Sequence, residues 1–185
     1  MMKRTLDVLL AALALVLLSP VLLATALAVA WDSGWPVLFR QTRVGWRGRE
    51  FGMYKFRSMV KDAARRGPYF TQTDDPRITR VGRFIRRTSL DELPQLFNVL
   101  KGDMSLVGPR PDVPAQRALY SDADWAQRCS VRPGITGLAQ ALYRSESTEA
   151  QRLEADLRYT RQVSVGLDVR ILWWTLHRLT GRGSN

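Results

Sequence analysis

An apolar run from Leu6 to Ala30, interrupted by Asp7, Ser19-Pro20 and Thr25, limits what this chain can become more than any other stretch. At about 25 residues it is long enough to cross a bilayer, for which roughly 20 suffice. The basic residues argue against a simple crossing. Lys3 and Arg4 precede the run while Arg40, Arg43, Arg47 and Arg49 follow it, so both flanks favour the cytoplasmic side. Pro20 offers a resolution, because mid-run it removes a backbone donor and clashes with the preceding turn, and Ser19 can bond the carbonyls left free. The expectation is a re-entrant helix-break-helix over residues 1–31 that enters the membrane, turns at Ser19-Pro20 and returns to the same face. A membrane-associated cytosolic domain is expected over 32–185. A kinked spanning helix is one alternative, and a signal peptide cleaved near Ala24-Thr25-Ala26 or Ala28-Val29-Ala30 is another.

The remaining length of this 185-residue chain suits one compact domain. Its 28 Lys and Arg against 17 Asp and Glu give a net charge of +11, which calls for an anionic partner: nucleic acid, an anionic bilayer or a phosphorylated substrate. Basic residues that follow a membrane segment, with no nucleic-acid motif, point away from nucleic acid. The single cysteine, Cys129, excludes an internal disulfide and a thiolate cluster, and neither HExxH nor CxxC is present to suggest zinc.

Trp31-Asp32-Ser33-Gly34-Trp35-Pro36 reads as a junction at headgroup level. Two β-favouring runs, 37–44 and 49–57, flank Gly45-Trp46-Arg47-Gly48 and predict a hairpin. Its arginines can hold anionic inner-leaflet phospholipid at about 1 kcal/mol each. A short polar helix is expected over Met59 to Arg66, then turn chemistry from Tyr69 to Pro76, with Thr73-Asp74-Asp75-Pro76 placed to cap the next helix. In that helix Ile78, Val81, Phe84 and Ile85 recur at helical spacing beside a basic face. Further helices are expected over 115–120, around 125–128, over 147–163 and over 167–179. Arg132-Pro133-Gly134-Ile135-Thr136-Gly137 reads as a rigid turn leading into 138–144. The last helix carries Ile171, Leu172, Trp173, Trp174 and Leu176, a composition that suits either the bilayer interface or a core. The fold class expected is α+β, mostly helical, with a re-entrant membrane helix, a β-hairpin and amphipathic helices at the membrane interface.

Thr88-Ser89-Leu90-Asp91-Glu92-Leu93-Pro94-Gln95 places two adjacent carboxylates between Arg86-Arg87 and Arg110. Ser89 and Glu92 fit a capping box, in which case the carboxylates are structural. Pro94 pulls the helix start towards Asp91, and Leu93, Leu96, Phe97 and Leu100 form an apolar stripe that Gly102 ends. The surrounding arginines favour phosphate handling instead.

Four segments, Tyr54-Lys55-Phe56-Arg57-Ser58-Met59, Ser89 to Leu100, Lys101 to Pro111 and Arg132 to Gly137, together resemble the monotopic phosphoglycosyl transferases of the bacterial sugar transferase family. The likeness runs almost the whole length, in the family's minimal form of one membrane hairpin and a catalytic domain. It implies transfer of a phosphosugar from a UDP-sugar to a polyprenyl phosphate such as undecaprenyl phosphate, releasing UMP and initiating glycoconjugate synthesis at the cytoplasmic face of the bacterial inner membrane. By the resemblance, Asp91 is the nucleophile, Glu92 its catalytic neighbour, Mg2+ is bound through Asp91, and Lys55, Arg86, Arg110, Arg144 and Asp156 hold substrate or order the site. Ala141-Leu142-Tyr143-Arg144 departs from the family's glycine- and asparagine-bearing segment, which bears on the sugar pocket.

The chemistry agrees. A carboxylate attacks phosphorus only as the anion, and a helix start with arginines nearby is expected to lower the pKa of Asp91. Mg2+ suits hard oxygen ligands and cancels repulsion between that anion and a diphosphate. Glu92 can orient the metal or accept a proton from the polyprenyl phosphate. The non-enzymatic alternative is a basic membrane-anchored adaptor in which Asp91 and Glu92 are only caps. The sugar and the oligomeric state are left open.

Overall fold

Pro20 has no N–H for the carbonyl of Val16, and the Ser19 hydroxyl donates to that oxygen instead, at 2.8 Å. The computed structural model, which describes residues 2–67, 75–143 and 148–179, breaks the apolar run at this point. Helix α1 covers Met2–Leu17, α2 covers Ser19–Ser33, and the two are bent by 63°. Among the described residues no single helix is long and apolar enough to cross a membrane. The bent pair is, by length and composition.

Both ends of this pair are fastened to one body. On α1, Lys3 Nζ lies 2.5 Å from Asp168 Oδ2. Asp7, the charge that interrupts the apolar run, is buried and accepts from Ser105 Oγ at 2.8 Å and Leu106 N at 3.1 Å. Ala11 packs with Met53, Leu96, Val99 and Met104. On α2, Val29 packs with Val37, Phe56 and Ile85, Asp32 accepts from Val81 N at 3.1 Å, and Arg57 Nη2 donates to the Ser33 carbonyl at 2.6 Å. Between these anchors the apolar side chains face outward, with Val16 71% and Leu17 68% exposed at the bend.

The expected hairpin forms as β1, Leu38–Val44, and β2, Glu50–Phe56, antiparallel with Leu38 opposite Phe56 and Val44 opposite Glu50. The helix expected over Met59 to Arg66 does not form. An isolated bridge to Ile78 holds Met59 extended, and only one 3-10 turn, Ala63–Arg65, comes after it. Of the expected capping segment, Thr73 and Asp74 lie outside the described residues, and Asp75 is buried in an ion pair with Arg77 at 2.6 Å. The cap of helix α3, Arg80–Arg87, is Thr79, whose hydroxyl accepts from Gly82 N at 2.9 Å.

Helix α4, Gln95–Lys101, stops as expected at Gly102, in the left-handed conformation. Two strands escape the sequence reading: β3, Ser105–Val107, and β4, Gly134–Thr136, the latter read as a rigid turn, pair in parallel. Helix α5, Asp122–Arg128, joins them, preceded by a 3-10 segment over Pro114–Leu119. Helices α6, Leu138–Tyr143, α7, Glu149–Arg161, and α8, Val165–Leu179, complete a mostly helical α+β fold. Thr148 caps α7 in a capping box with Gln151. Helix α8 turns Ile171 into a core with Tyr159, Leu138 and Val107 and leaves Val169, Trp173 and Leu176 exposed.

Candidate active site

Ser89 does not cap a helix. It sits at φ 57 and ψ 16 with no side-chain capping bond, a conformation that costs a non-glycine residue of order 1 kcal/mol. The chain turns there into a single 3-10 turn, Leu90–Glu92, and α4 starts three residues further on. The expected capping box is therefore absent, because Glu92 points elsewhere: its Oε1 accepts from Lys55 Nζ at 2.8 Å and from Arg110 Nη2 at 2.6 Å. Asp91, one residue earlier, is buried and, among the described residues, has no ion-pair or hydrogen-bond partner on its carboxylate.

Four elements converge on these carboxylates. Strand β2 supplies Lys55, and α3 supplies Arg86, whose Nε donates to Ser58 Oγ at 2.7 Å. Close approach of α3 to the Ser58 segment requires Gly82, where an added Cβ would lie 2.0 Å from the Ser58 carbonyl oxygen. The segment after β3 supplies Arg110. Contrary to the expected apolar stripe, Phe97 and Leu100 are exposed on α4, and Asn98, which lies off that stripe, fixes α4 to β2. Fully buried, it donates to the Gly52 carbonyl at 2.8 Å, accepts from Tyr54 N at 2.9 Å and reaches Asp103 at 3.0 Å.

The two carboxylates differ electrostatically. Burial raises the pKa of Asp91, and Glu92 adds to that rise while Lys55, Arg86 and Arg110 oppose it. This corrects the expectation of a lowered value: burial outweighs the cations. Burial also raises Glu92, but Arg110 and Lys55, by charge and by hydrogen bond, more than offset it and bring the group to about 2. Burial pulls Lys55 down.

Of the substrate-binding residues expected from the sequence, Lys55, Arg86 and Arg110 gather around Asp91 and Glu92. Arg144 lies outside the described residues. Asp156 lies on α7, buried, with Oδ2 2.9 Å from Arg128 Nε, so among the described residues it meets the site through that arginine.

A divalent cation fits within limits. Among the described residues there is no group of three His, Cys, Asp or Glu side chains that could hold a metal ion. Asp91, with acceptor oxygens not taken by side chains of the described residues, suits an ion such as Mg2+ that uses one or two carboxylates and completes its shell with phosphate and water.

Residues 1–182 match the family model described as bacterial sugar transferase. The UDP-N-acetylgalactosamine-undecaprenyl-phosphate N-acetylgalactosaminephosphotransferase of Aeromonas hydrophila is 44% identical over 191 residues, covering 98% of this chain and 44% of that protein. The UDP-glucose:undecaprenyl-phosphate glucose-1-phosphate transferase of Escherichia coli K12 is 46% identical, covering 96% of this chain and 40% of that protein. The exopolysaccharide production protein PSS of Rhizobium leguminosarum bv. phaseoli is 42% identical, covering 98% of this chain and 96% of that protein. The chain thus spans less than half of the first two and nearly all of the third. With a family match over almost every residue, the chain belongs to the bacterial sugar transferase family.

Proposed function

We propose that this chain transfers a phosphosugar from a UDP-sugar to a polyprenyl phosphate, giving a polyprenyl-diphosphate sugar and UMP, the first step of polysaccharide assembly. The observation that carries this reading is the pairing of a buried, unbridged Asp91 with a neighbour, Glu92, that is bridged twice to cations. Relatives named for UDP-N-acetylgalactosamine, UDP-glucose and undecaprenyl phosphate support the substrate classes. The adaptor alternative needs Asp91 and Glu92 as helix caps, and neither Ser89 nor Glu92 makes the capping bond.

In this reading an Asp91 oxygen attacks the β-phosphorus of the UDP-sugar. The bond to the UMP oxygen breaks, and UMP leaves with the electron pair. A polyprenyl phosphate oxygen then attacks the same phosphorus and releases Asp91. Lys55, Arg86 and Arg110 hold the diphosphate oxygens, and Glu92 orients Lys55 and Arg110. A carboxyl held at about 2 is a poor proton acceptor at neutral pH, so orientation is the role assigned to Glu92. Asp91 would hold Mg2+, which would supply charge neutralisation on the diphosphate.

The helix pair is read as re-entrant, with the domain on the cytoplasmic face of the inner membrane. Its two ends are fastened to the same body while its bend is apolar and exposed, and exposed arginines at 40, 47 and 49 can meet anionic lipid. The test is UMP release from a panel of UDP-sugars with undecaprenyl phosphate and Mg2+ in detergent. Wild type is expected to release UMP and Asp91→Asn to release none. Full release by Asp91→Asn would remove the assigned nucleophile.

A further inference from the structure

Behind Arg110 lies a buried charge network that the reaction does not touch directly. Prolines on both sides of Arg110 lack N–H groups and confine its backbone to extended conformations. Four successive carbonyls of this segment are each held by a donor: Pro109 by Gly134 N at 2.9 Å, Arg110 by Arg128 Nη2 at 2.5 Å, Pro111 by Arg43 Nη1 at 2.9 Å and Asp112 by Val44 N at 2.8 Å. The donor at Arg110 itself is a side chain from α5.

Arg128 is 5% exposed, and every edge of its guanidinium is engaged. Nε donates to Asp156 Oδ2 at 2.9 Å, Nη1 to Asp112 Oδ2 and Nη2 to the Arg110 carbonyl. Its Cζ lies over the Tyr120 ring, 5.3 Å from the ring centre. Asp112 is held in turn by Arg152 Nη2 at 3.3 Å. Two buried carboxylates thus fix one arginine in a three-way fork whose third prong ends on the residue that bonds Glu92. A lysine in its place keeps the charge but cannot present three donors in one plane.

We propose that Arg128, clamped by Asp112 and Asp156, is a positioning residue that sets the place of Arg110 at the diphosphate-binding site. The inference rests on the proposed function for its catalytic consequence and on geometry for its structural one, so the experiment has two arms. In the first, kcat/KM for the UDP-sugar falls about 100-fold in Arg128→Lys, the scale of a misplacement of roughly 1 Å, with a smaller fall in Asp156→Asn. Because the effect passes through Arg110, the double variant Arg110→Lys with Arg128→Lys loses little more than Arg110→Lys alone. In the second arm the Arg110 guanidinium resonances, identified by their loss in Arg110→Lys, are followed by nitrogen NMR in detergent without substrate. They shift and exchange faster with water in Arg128→Lys and in Asp156→Asn. Asp156→Asn keeps an acceptor for Nε, so it serves if Arg128→Lys does not fold. Multiplicative losses, or Arg110 resonances unmoved by either variant, overturn the proposal. Absence of UMP release in wild type would sink the proposed function and leave the NMR arm to decide the role of Arg128.

Discussion

Arg110 gives its guanidinium to Glu92, at 2.6 Å, and not to Asp91, the adjacent residue on the same 3-10 turn. Glu92 therefore gathers the cations and Asp91 keeps its oxygens, so the pair divides into an organiser and a reactive group although both are carboxylates at one place in the chain.

Burial governs how Asp91 titrates. Its pKa is raised by burial, so in magnesium-free buffer the carbon NMR titration of labelled aspartate shows Asp91 above the ordinary value of about 3.9. Adding Mg2+ moves the midpoint down, because the cation favours the anion. A midpoint that ignores Mg2+ removes Asp91 as the ligand.

Glu92 behaves in the opposite sense. Its folded value lies near 2 against an ordinary 4.5, a difference on the order of 3 kcal/mol. Because the folded value is the lower one, this contribution is complete above pH 4.5 and disappears as pH falls towards 2. Glu92→Gln is expected to unfold at lower denaturant concentration at pH 7, with the gap from wild type narrowing on acidification. A gap constant with pH would mean that the two ion pairs contribute nothing.

Asn98→Leu preserves volume but leaves Tyr54 N–H and the Gly52 carbonyl without their partner, at about 1–3 kcal/mol for each buried group. Thermal melts should show the loss. Because β2 carries Lys55, kcat/KM should also fall, by about tenfold or more for a misplaced cation. Unchanged kinetics in a destabilised variant would show that α4 does not set the position of Lys55.

Gly82→Ala forces α3 away from the Ser58 carbonyl and takes Arg86 with it. Its loss of UMP release should exceed that of Ser58→Ala, which removes only the hydroxyl that Arg86 bonds. Equal losses would reduce the role of Gly82 to the hydroxyl contact.

The topology is tested by thiol labelling after replacing Cys129. Cysteines introduced at the exposed positions Met2 and Glu149 should react from the same side of sealed vesicles. Reaction of the Met2→Cys variant from the opposite side would exclude the re-entrant arrangement.

Local chemistry makes much of this legible. Pro20 announces the break, the glycine-bearing turn announces the hairpin and Gly102 ends α4. The features that escape are set by distant partners. Met59 is extended because Ile78 pairs with it, and the strands at 105–107 and 134–136 are too short to show a period. The same holds for the site. Lys55, Arg86 and Arg110 are named by the resemblance, but Ser89 and Glu92 look like a capping box because the spacing is right, and only the pull of Lys55 and Arg110 on Glu92 breaks it. The rise in the Asp91 pKa depends on burial, which no run of neighbouring residues displays. Asn98 leaves no signal either, since it lies off the stripe of Leu93, Leu96, Phe97 and Leu100, and α4 buries Asn98 and Val99 while Phe97 and Leu100 are exposed.

The anchor of α1 has a consequence for how the molecule is made. Lys3 and its partner Asp168 are 165 residues apart, so the first helix leaves the ribosome long before the last one can receive it. The other contacts of α1 come earlier, for Asp7 is held by Ser105 and Leu106 and Ala11 packs with Met53, Leu96, Val99 and Met104, all of them made before Asp168. Helix α1 can therefore be held as one arm of a hairpin once β3 is made, and the ion pair to α8 is the last of its fastenings to close.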